Sequence, residues 1–338
     1  MLCFAVYPNP NRLFRVKMSL KDKLKAALYA GIVGDALGVP VEASTRQELA
    51  LCAVKNMLGY GRYDQPEGTW SDDTALMLCT MESLLDGYNL DAIGNTFCRW
   101  LFDSYWTPTG FVFDTGLTTY LALDKIRNGH KNASESGCDT EDDNGNGSLM
   151  RMLPVALFFR SLPVGEFLGR VHEISAITHA HLRSKIGCGI YCLFIRELVD
   201  TTDKSAAYKN AVKQAVDFYS TIPEFSRELP HFMRIISHAI PGLSEDEIRS
   251  SGYLVDTLEA ALWCVLTYSS TKDILLAAVN LGLDTDTTGM VAGGCAGMLY
   301  GLESIPAAWL DSLARKSEID VLVGRFTDST AEGVKGAP

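Results

Sequence analysis

The spacing of apolar residues is the feature that most limits how this chain can fold. Leu20, Leu24, Leu28 and Ile32 recur every four residues, which places them on one side of an α-helix as a single apolar stripe. Comparable helical patterns occur in residues 74–85, 184–199, 204–219, 254–268 and 274–281. Sustained alternation of apolar and polar residues, which is typical of strands, is hard to find. The sequence therefore predicts an all-α protein, with room for short strands.

Length and composition favour one compact domain, a single helical bundle. The chain has 338 residues, of which 47% are hydrophobic, enough to fill a sizeable core. Its sequence contains neither a Pro- or Ser-rich linker nor a repeat of fixed period. Residues 128–147 are strongly polar and are predicted to form a long surface loop.

The first residues have weak structural patterning. A short apolar run ends at Pro8 and Pro10, and it lacks the basic start and the small-residue cleavage site of a signal peptide. We therefore expect residues 1–17 to be a dispensable extension and residues 18–338 to form the domain. Translation from Met18 should then give a fully active protein.

Charge and cysteine content exclude several classes of protein. The formal net charge is −11, so no general attraction for nucleic acids or anionic membranes is expected. No run of about 18 apolar residues is free of charges or breakers, which argues against a transmembrane helix. The nine cysteines include no CxxC pair, so buried, reduced thiols are expected rather than a zinc site. We expect a cytoplasmic monomer.

Two short acidic motifs carry the strongest chemical signal. Residues 70–74 read WSDDT and residues 284–288 read DTDTT, each just before an apolar helical segment. Carboxylates with hydroxyls or water are the ligands that Mg²⁺ and Mn²⁺ prefer. If the two motifs converge, they can hold two ions, as in two-metal enzymes.

Ordinary helix capping is the alternative interpretation of each motif. Ser71 or Thr285 would then be an N-cap, and the acids would favour the helix dipole. The second motif, however, lies in a strongly apolar region, where two acids are expensive to bury without a cation. This cost, together with the doubling of the motif, favours the metal interpretation.

Three further segments combine unusual residues. Residues 31–42 place Asp35 and Glu42 in a Gly-rich apolar stretch, which also fits a close helix contact with solvated acids. Residues 144–151, reading NGNGSLMR, fit an anion-binding turn or a simple turn into a helix. Residues 178–181, reading THAH, fit a binding site or histidines at a helix end or on the surface, and their spacing does not match helical zinc ligands.

Together these segments resemble the ADP-ribosylglycohydrolase family, whose typical members reverse mono-ADP-ribosylation of arginine. The matching pieces occur in family order: GIVGDALGVPVEA, WSDDTALM, NGNGSLMRMLPVAL, THAH and LGLDTDTTGMVAGGCAGMLYG. The resemblance runs from about residue 18 to about residue 310. The pairing of WSDDT with the distant DTDT is much more specific than either motif alone.

The resemblance implies an all-α fold with a binuclear Mg²⁺ (or Mn²⁺) centre in a cleft. It implies the metal ligands Ser71, Asp72, Asp73, Asp284, Asp286 and Thr287. Asp73 and Asp286 are among the expected catalytic residues, together with two further acids near the scissile bond, Glu42 and Asp114. Contacts with ADP-ribose are implied for Asn146, Gly147, Ser148 and His179, and Tyr253 is a further candidate.

Two departures from the family pattern concern the metal motifs. Ser71 stands where several members carry Thr, and LGLDTDT stands where many members read GGDTDT. Neither removes a metal ligand.

The expected reaction is hydrolysis of the bond that joins ADP-ribose to a protein or small molecule. Arginine is the preferred linkage, because DTDTT, NGNGSLMR and the Asp114 segment resemble the arginine-directed and bacterial members more than the serine-directed ones. Glu141, Asp142 and Asp143 could also attract a cationic leaving group, and the alternative role for these acids is to solvate the loop. Cleavage of a serine or O-acetyl linkage, a non-catalytic ADP-ribose binder, and a two-metal phosphohydrolase stay as alternatives.

Overall fold

The computed structural model describes residues 18–332 and confirms the all-α prediction. Helices account for nearly all regular structure in this range, and pairing between extended segments is limited to isolated bridges. The α-helices are α1 (Leu20–Gly38), α2 (Arg46–Leu51), α3 (Asp72–Leu85), α4 (Leu90–Asp103), α5 (Leu117–Arg127), α6 (Leu153–Phe158), α7 (Val164–Ser175), α8 (Leu182–Asp200), α9 (Lys204–Tyr219), α10 (Pro223–Ser226), α11 (Met233–Ile236), α12 (Leu254–Thr267), α13 (Thr271–Asn280), α14 (Thr285–Tyr300), α15 (Ala307–Asp311) and α16 (Lys316–Ala331). The expected extension, residues 1–17, lies outside the described residues.

Short 3₁₀ turns join many of these helices and carry several residues of interest. They are Val39–Val41, Gly61–Tyr63, Glu141–Asp143, Leu149–Arg151, Leu229–Phe232, Ile240–Gly242, Glu245–Glu247 and Leu302–Ser304. All six helices predicted from apolar spacing are present. For the five that were predicted as ranges, the observed ends differ from the predicted ends by a few residues at most.

Helix α1 differs from the sequence-based expectation because it has no solvent-facing side. Almost every residue from Leu24 to Gly38 is buried, whereas one apolar stripe was expected. By length and composition alone, Leu20–Val41 could cross a membrane, and 89% of its most apolar stretch is buried inside the protein. The helix is hydrophobic all round because other helices surround it, as in the core of a large protein.

Helices α1 and α14 pack against each other more extensively than any other pair of helices. Small residues line the contact: a methyl group at Gly289 would overlap the Gly34 carbonyl, and one at Gly293 would overlap the Ala30 carbonyl. These small residues recur every four positions, which puts them on one face of each helix. The two backbones therefore approach at a distance that only glycine and alanine allow.

The remaining helices form a shell around this central pair. Helices α3, α13 and α16 pack directly on α1, and α8, α12 and α13 pack on α14. Helices α4 and α9 lie further out, against α3 and α8 respectively. One continuous hydrophobic cluster runs through all of these contacts.

The polar stretch at residues 128–147 is only partly a surface loop, contrary to the sequence-based expectation. Ala133, Ser136, Asn144 and Asn146 are buried. The backbone of Cys138 pairs with residues 178–180, which accept and donate main-chain hydrogen bonds. The segment is polar because hydrogen bonds rather than apolar contacts attach it to the protein.

The cysteines agree with the expectation of reduced thiols. Within the described range every cysteine is free, and most are buried, with Cys52 exposed and Cys138 half-buried.

Replacing Gly289 with alanine should destabilise the protein by about 1–3 kcal/mol, because the added methyl group forces α1 and α14 apart. Gly324→Ala on α16 is the matched control: nothing lies within 4 Å of its new methyl group. The control should stabilise the helix by about 0.5–1 kcal/mol. Urea unfolding of both variants measures the difference, and equal midpoints for Gly289→Ala and the natural protein would contradict this account of the contact.

Candidate metal and active site

The structure brings the two acidic motifs together at the ends of two buried helices. Ser71 is the N-cap of α3, and its side chain accepts a hydrogen bond from the Asp73 amide. Asp284 is the N-cap residue of α14, while the hydroxyl of Thr285 donates to the Gly38 carbonyl. The capping alternative therefore holds at Ser71 and not at Thr285. The hydroxyl of Thr287 lies 3.4 Å from a carboxylate oxygen of Asp73, which joins the two motifs directly.

Asp35 holds the first motif in place, a role that the sequence analysis missed. Its fully buried carboxylate on α1 accepts hydrogen bonds of 3.0 Å from the amides of Ser71 and Thr74. These amides belong to the start of α3, where backbone donors lack helical partners. An acid within an apolar helical stretch was the signal for this role, but its partner is 36 residues away.

Glu42 and Asp114 complete the acidic cluster. One carboxylate oxygen from each of Glu42, Asp114 and Asp286 lies within 4.8 Å of the other two. Glu42 follows the turn Val39–Val41 at the end of α1, and Asp114 precedes α5. Four separate segments therefore contribute acids to one place, which agrees with the predicted convergence.

Two strained residues hold Glu42 opposite Asp284. Ala43 and Leu283 both have positive φ, +62° and +61°, a region that disfavours side chains. The amide of Ala43 donates to the Leu283 carbonyl, and the amide of Leu283 donates to the Ser44 carbonyl, each at 2.7 Å. Leu283 is the residue at which the sequence departs from the family's glycine, and the structure keeps the left-handed backbone there.

The carboxyl groups of the cluster are hard to ionise together. Burial raises the pKa of Glu42 to about 7, with a further contribution from the charge of Asp114, and burial raises that of Asp35 to about 6. The pKa values of Asp72, Asp73 and Asp286 are raised well above the ordinary range, first by burial and then by neighbouring carboxylates. Burial also raises the pKa values of Asp114 and Asp284.

Several oxygen atoms in the cluster have no hydrogen-bond partner within the described part of the chain. They are buried atoms of three acids: Glu42 Oε2, Asp73 Oδ2 and Asp284 Oδ1. Buried carboxylates that repel one another and lack donors are costly unless a cation neutralises them. Oxygen-only donors of this kind suit a hard divalent cation. The residues present therefore fit the metal that the sequence predicted.

The residues expected to contact ADP-ribose border this cluster. The side-chain amide of Asn146 donates to Asp284 at 3.0 Å and to Thr257 at 2.9 Å. Ser148 is fully buried and its hydroxyl accepts a hydrogen bond from Ser175. A methyl group at Gly147 would lie 2.8 Å from the imidazole of His179. The loop and the imidazole are thus in contact.

The two histidines of the THAH segment differ: His181 lies at a helix end, as one alternative expected, whereas His179 is not a surface residue. His179 is buried, with 2% of its surface exposed. His181 is the N-cap of α8 and accepts a hydrogen bond from the amide of Arg183.

Tyr253 lies beside the loop, at the N-cap of α12, and takes part in a polar network. Its hydroxyl accepts from Arg183 at 3.3 Å, and Arg183 also forms ion pairs with Glu141 and Glu228. The negative field expected from residues 141–143 is therefore weaker than three free carboxylates would give, because Glu141 forms an ion pair with Arg183. Asp143 likewise accepts hydrogen bonds from Thr118 and Thr140.

Tyr63 is a second residue that sequence reasoning missed. Burial raises the pKa values of Glu42 and Asp114, and hydrogen bonding from Tyr63 opposes that rise at both. Its ring packs against Phe113, with 5.0 Å between the centroids. A small crevice nearby is lined by Ser71 and Asp72 together with the aromatic residues Trp100, Phe111 and Phe113. No sequence motif marked Tyr63, since its partners are far along the chain.

Glu42→Gln should stabilise the metal-free protein at about pH 8 and leave its stability unchanged near pH 4.5. The folded-state pKa of Glu42 is about 7 against an ordinary value of 4.5, so ionising it costs folding free energy as the pH rises between these values. After allowance for partial exposure, the gain is about 1–2 kcal/mol. Thermal unfolding in EDTA across this pH range measures it, and a constant difference between the two proteins would contradict the assignment.

Comparison of the sequence and of the fold with known proteins points to the same family. The sequence model of the family described as ADP-ribosylglycohydrolase matches residues 17–334. The chain is 32% identical to an "ADP-ribosylarginine hydrolase Tri1" of Serratia proteamaculans (strain 568), over 89% of this chain and 78% of the relative. It is 31% identical to an "ADP-ribosyl-[dinitrogen reductase] glycohydrolase" of Rhodospirillum rubrum, over 90% and 94%. A solved "ADP-ribosylglycohydrolase-related protein complex" superposes with a TM-score of 0.77 at 27% identity, over 92% of this chain and 99% of that one.

Proposed function

Because the chain belongs to the ADP-ribosylglycohydrolase family, we propose that it removes ADP-ribose from modified arginine side chains in a Mg²⁺-dependent hydrolysis. The observation that carries the proposal is the convergence of two distant acidic motifs on one buried site with unpartnered carboxylate oxygens. A buried cluster of this kind stabilises no fold by itself, because burial and repulsion raise the pKa of each member. A cation that functions in catalysis explains why the acids are there.

The proposed metal ligands come from both motifs. Two Mg²⁺ ions, or Mn²⁺ ions, would supply charge that orients the ribose hydroxyls and activates water. Their ligands would be Ser71, Asp72, Asp73, Asp284, Asp286 and Thr287. Asp35 would orient the first motif by holding the amides of Ser71 and Thr74.

The proposed reaction breaks the bond between C1″ of ribose and a guanidine nitrogen. A water oxygen bonds to C1″ as the C1″–N bond breaks, and one water proton passes to a carboxylate. A carboxylic acid of the cluster donates a proton to the departing guanidine nitrogen. Glu42 and Asp114 are the proposed proton acceptors, since one carboxylate oxygen of each lies within 4.8 Å of the other and of one from Asp286. Activity of Glu42→Gln and Asp114→Asn distinguishes which of them is the base.

The proposed arginine linkage rests on the relatives and on charge. Relatives at 32% and 30% identity are named ADP-ribosylarginine hydrolases. A guanidinium leaving group is cationic, and it would meet Asp114 beside aromatic rings of the kind that stack on guanidinium groups. The substrate would be an ADP-ribosylated protein or a small ADP-ribosyl conjugate, met by a monomer in the cytoplasm.

The alternatives predict different products. A serine- or O-acetyl-directed hydrolase would also release ADP-ribose, a two-metal phosphohydrolase would release AMP, and a non-catalytic relative would release nothing. None of the acids in the two motifs is lost in this chain, which favours catalysis.

The test is incubation with peptides carrying ADP-ribose on arginine or on serine, and with O-acetyl-ADP-ribose, with and without EDTA. We expect free ADP-ribose, the highest kcat/KM for arginine, and loss of activity in EDTA. A higher kcat/KM for serine would overturn the arginine assignment, and AMP as the product would overturn the glycohydrolase proposal.

Asp286→Asn should abolish this activity, because the amide keeps the size of the side chain but loses the charge that holds a cation. It should also raise the melting temperature of the metal-free protein and remove the further rise on adding Mg²⁺, since one mutually repelling charge is gone. Asp273→Asn, an exposed acid in the first turn of α13, is the matched control. Full activity of Asp286→Asn at low Mg²⁺ would contradict the metal assignment.

A further inference from the structure

Arg151 is a buried cation whose hydrogen bonds are made to neutral oxygens. Its side chain is fully buried, and its guanidinium donates to the Gly147 carbonyl at 2.6 Å, to the Ile174 carbonyl at 3.2 Å and to the Thr178 hydroxyl at 2.9 Å. Burial lowers the pKa of Arg151 to about 10, so the group stays charged at neutral pH. The proposed mechanism gives this residue no role, although it joins two segments that border the site.

The Thr178 hydroxyl links the guanidinium of Arg151 to the imidazole of His179 by hydrogen bonds. The Thr178 hydroxyl accepts from Arg151, and it lies 2.7 Å from Nδ1 of His179. Because a hydroxyl has one proton to donate and Nδ1 is the partner in reach, we expect the hydroxyl to donate to Nδ1. A neutral imidazole that accepts at Nδ1 carries its own proton at Nε2.

The imidazole is neutral in this environment. Burial lowers the pKa of His179 to about 3, and the nearby charge of Arg151 adds to the effect. The ring therefore has two possible forms at neutral pH, with its proton at Nδ1 or at Nε2. The Arg151–Thr178 contact selects the second form.

Nε2 of His179 faces the loop at residues 144–148. An added methyl group would lie 3.3 Å from Nε2 at Gly147 and 3.6 Å from it at Gly145. Within residues 18–332, Nε2 has no hydrogen-bond partner. It is also not fully buried, because it is absent from the set of fully buried atoms without a partner. A donor at this position is available to a ligand held by the loop.

We propose that Arg151 and Thr178 are positioning residues that hold His179 with its proton on Nε2, so that this N–H donates to a phosphate oxygen of the ligand. The opposite tautomer would turn a lone pair toward the anion and repel it. The identity of the ligand, an ADP-ribosyl group, rests on the proposed function. The tautomer itself rests only on the contacts among the three side chains.

The test compares Thr178→Val, which removes the hydroxyl at nearly constant size, with Thr178→Ser, which keeps it. Titration calorimetry with ADP-ribose and Mg²⁺ should show affinity about tenfold weaker for Thr178→Val and within about twofold of the natural protein for Thr178→Ser. In hydrolysis the loss should fall on KM rather than kcat, because the acidic cluster is untouched. Thr327→Val on α16 is the matched control, since Thr327 is also buried and bonds only within its helix.

¹⁵N NMR of the histidine rings reports the tautomer of His179 in the ligand-free protein. The His179 signals are assigned by their absence in His179→Gln. We expect a protonated Nε2 and a bare Nδ1 in the natural protein and in Thr178→Ser, and a mixture in Thr178→Val. A protonated Nδ1 in the natural protein, or unchanged ADP-ribose affinity in Thr178→Val, would overturn the proposal. If the tautomer is as expected but ADP-ribose does not bind, the tautomer assignment stands, whereas the ligand and the proposed function are overturned.

Discussion

The close contact between α1 and α14 is the constraint on which the rest of the structure depends. Both helices lead directly into the site: α1 carries Asp35 and ends just before Glu42, and α14 begins at the second acidic motif. A methyl group at Gly38 would overlap the backbone of Asp286, so the contact extends into the motif itself. The distance between the helix backbones therefore sets the distance between their acids. The small residues of this pair position the site as well as the core.

The acidic cluster works against the stability of the fold that holds it. Buried carboxyl groups that repel one another add unfavourable free energy. The two residues with positive φ, Ala43 and Leu283, add about 1–3 kcal/mol each. Extensive apolar burial around α1 and α14 offsets these costs in the metal-free protein. A bound cation would remove much of the repulsion. Binding of the proposed cation would therefore be coupled to folding stability.

The sequence predicted the features that depend on neighbouring residues. Apolar spacing located six helices, and the doubled motif with its family resemblance located the acids that converge. Contacts between distant segments were missed: Asp35 with the α3 amides, Tyr63 with Glu42, and Arg151 with Thr178. Complete burial of α1 was missed too, since apolar residues four apart also fit a helix with one exposed side. Polar composition at residues 128–147 suggested solvent because hydrogen bonds to other segments leave no pattern in the sequence.

The two halves of the site are held by different forces. Apolar packing of helices positions the acids of the cluster. Hydrogen bonds position the loop at residues 144–148: the backbone amide of Asn146 donates to the Gly252 carbonyl, and the Arg151 side chain donates to the Gly147 carbonyl. Packing tolerates little change in volume, while a hydrogen-bonded loop can change side chains wherever its backbone partners remain. Substitutions in the helices should therefore alter the spacing of the acids and the stability of the fold together. Substitutions in the loop that spare Asn146, whose side chain donates to Asp284, can change the loop while the acidic cluster and the core stay intact.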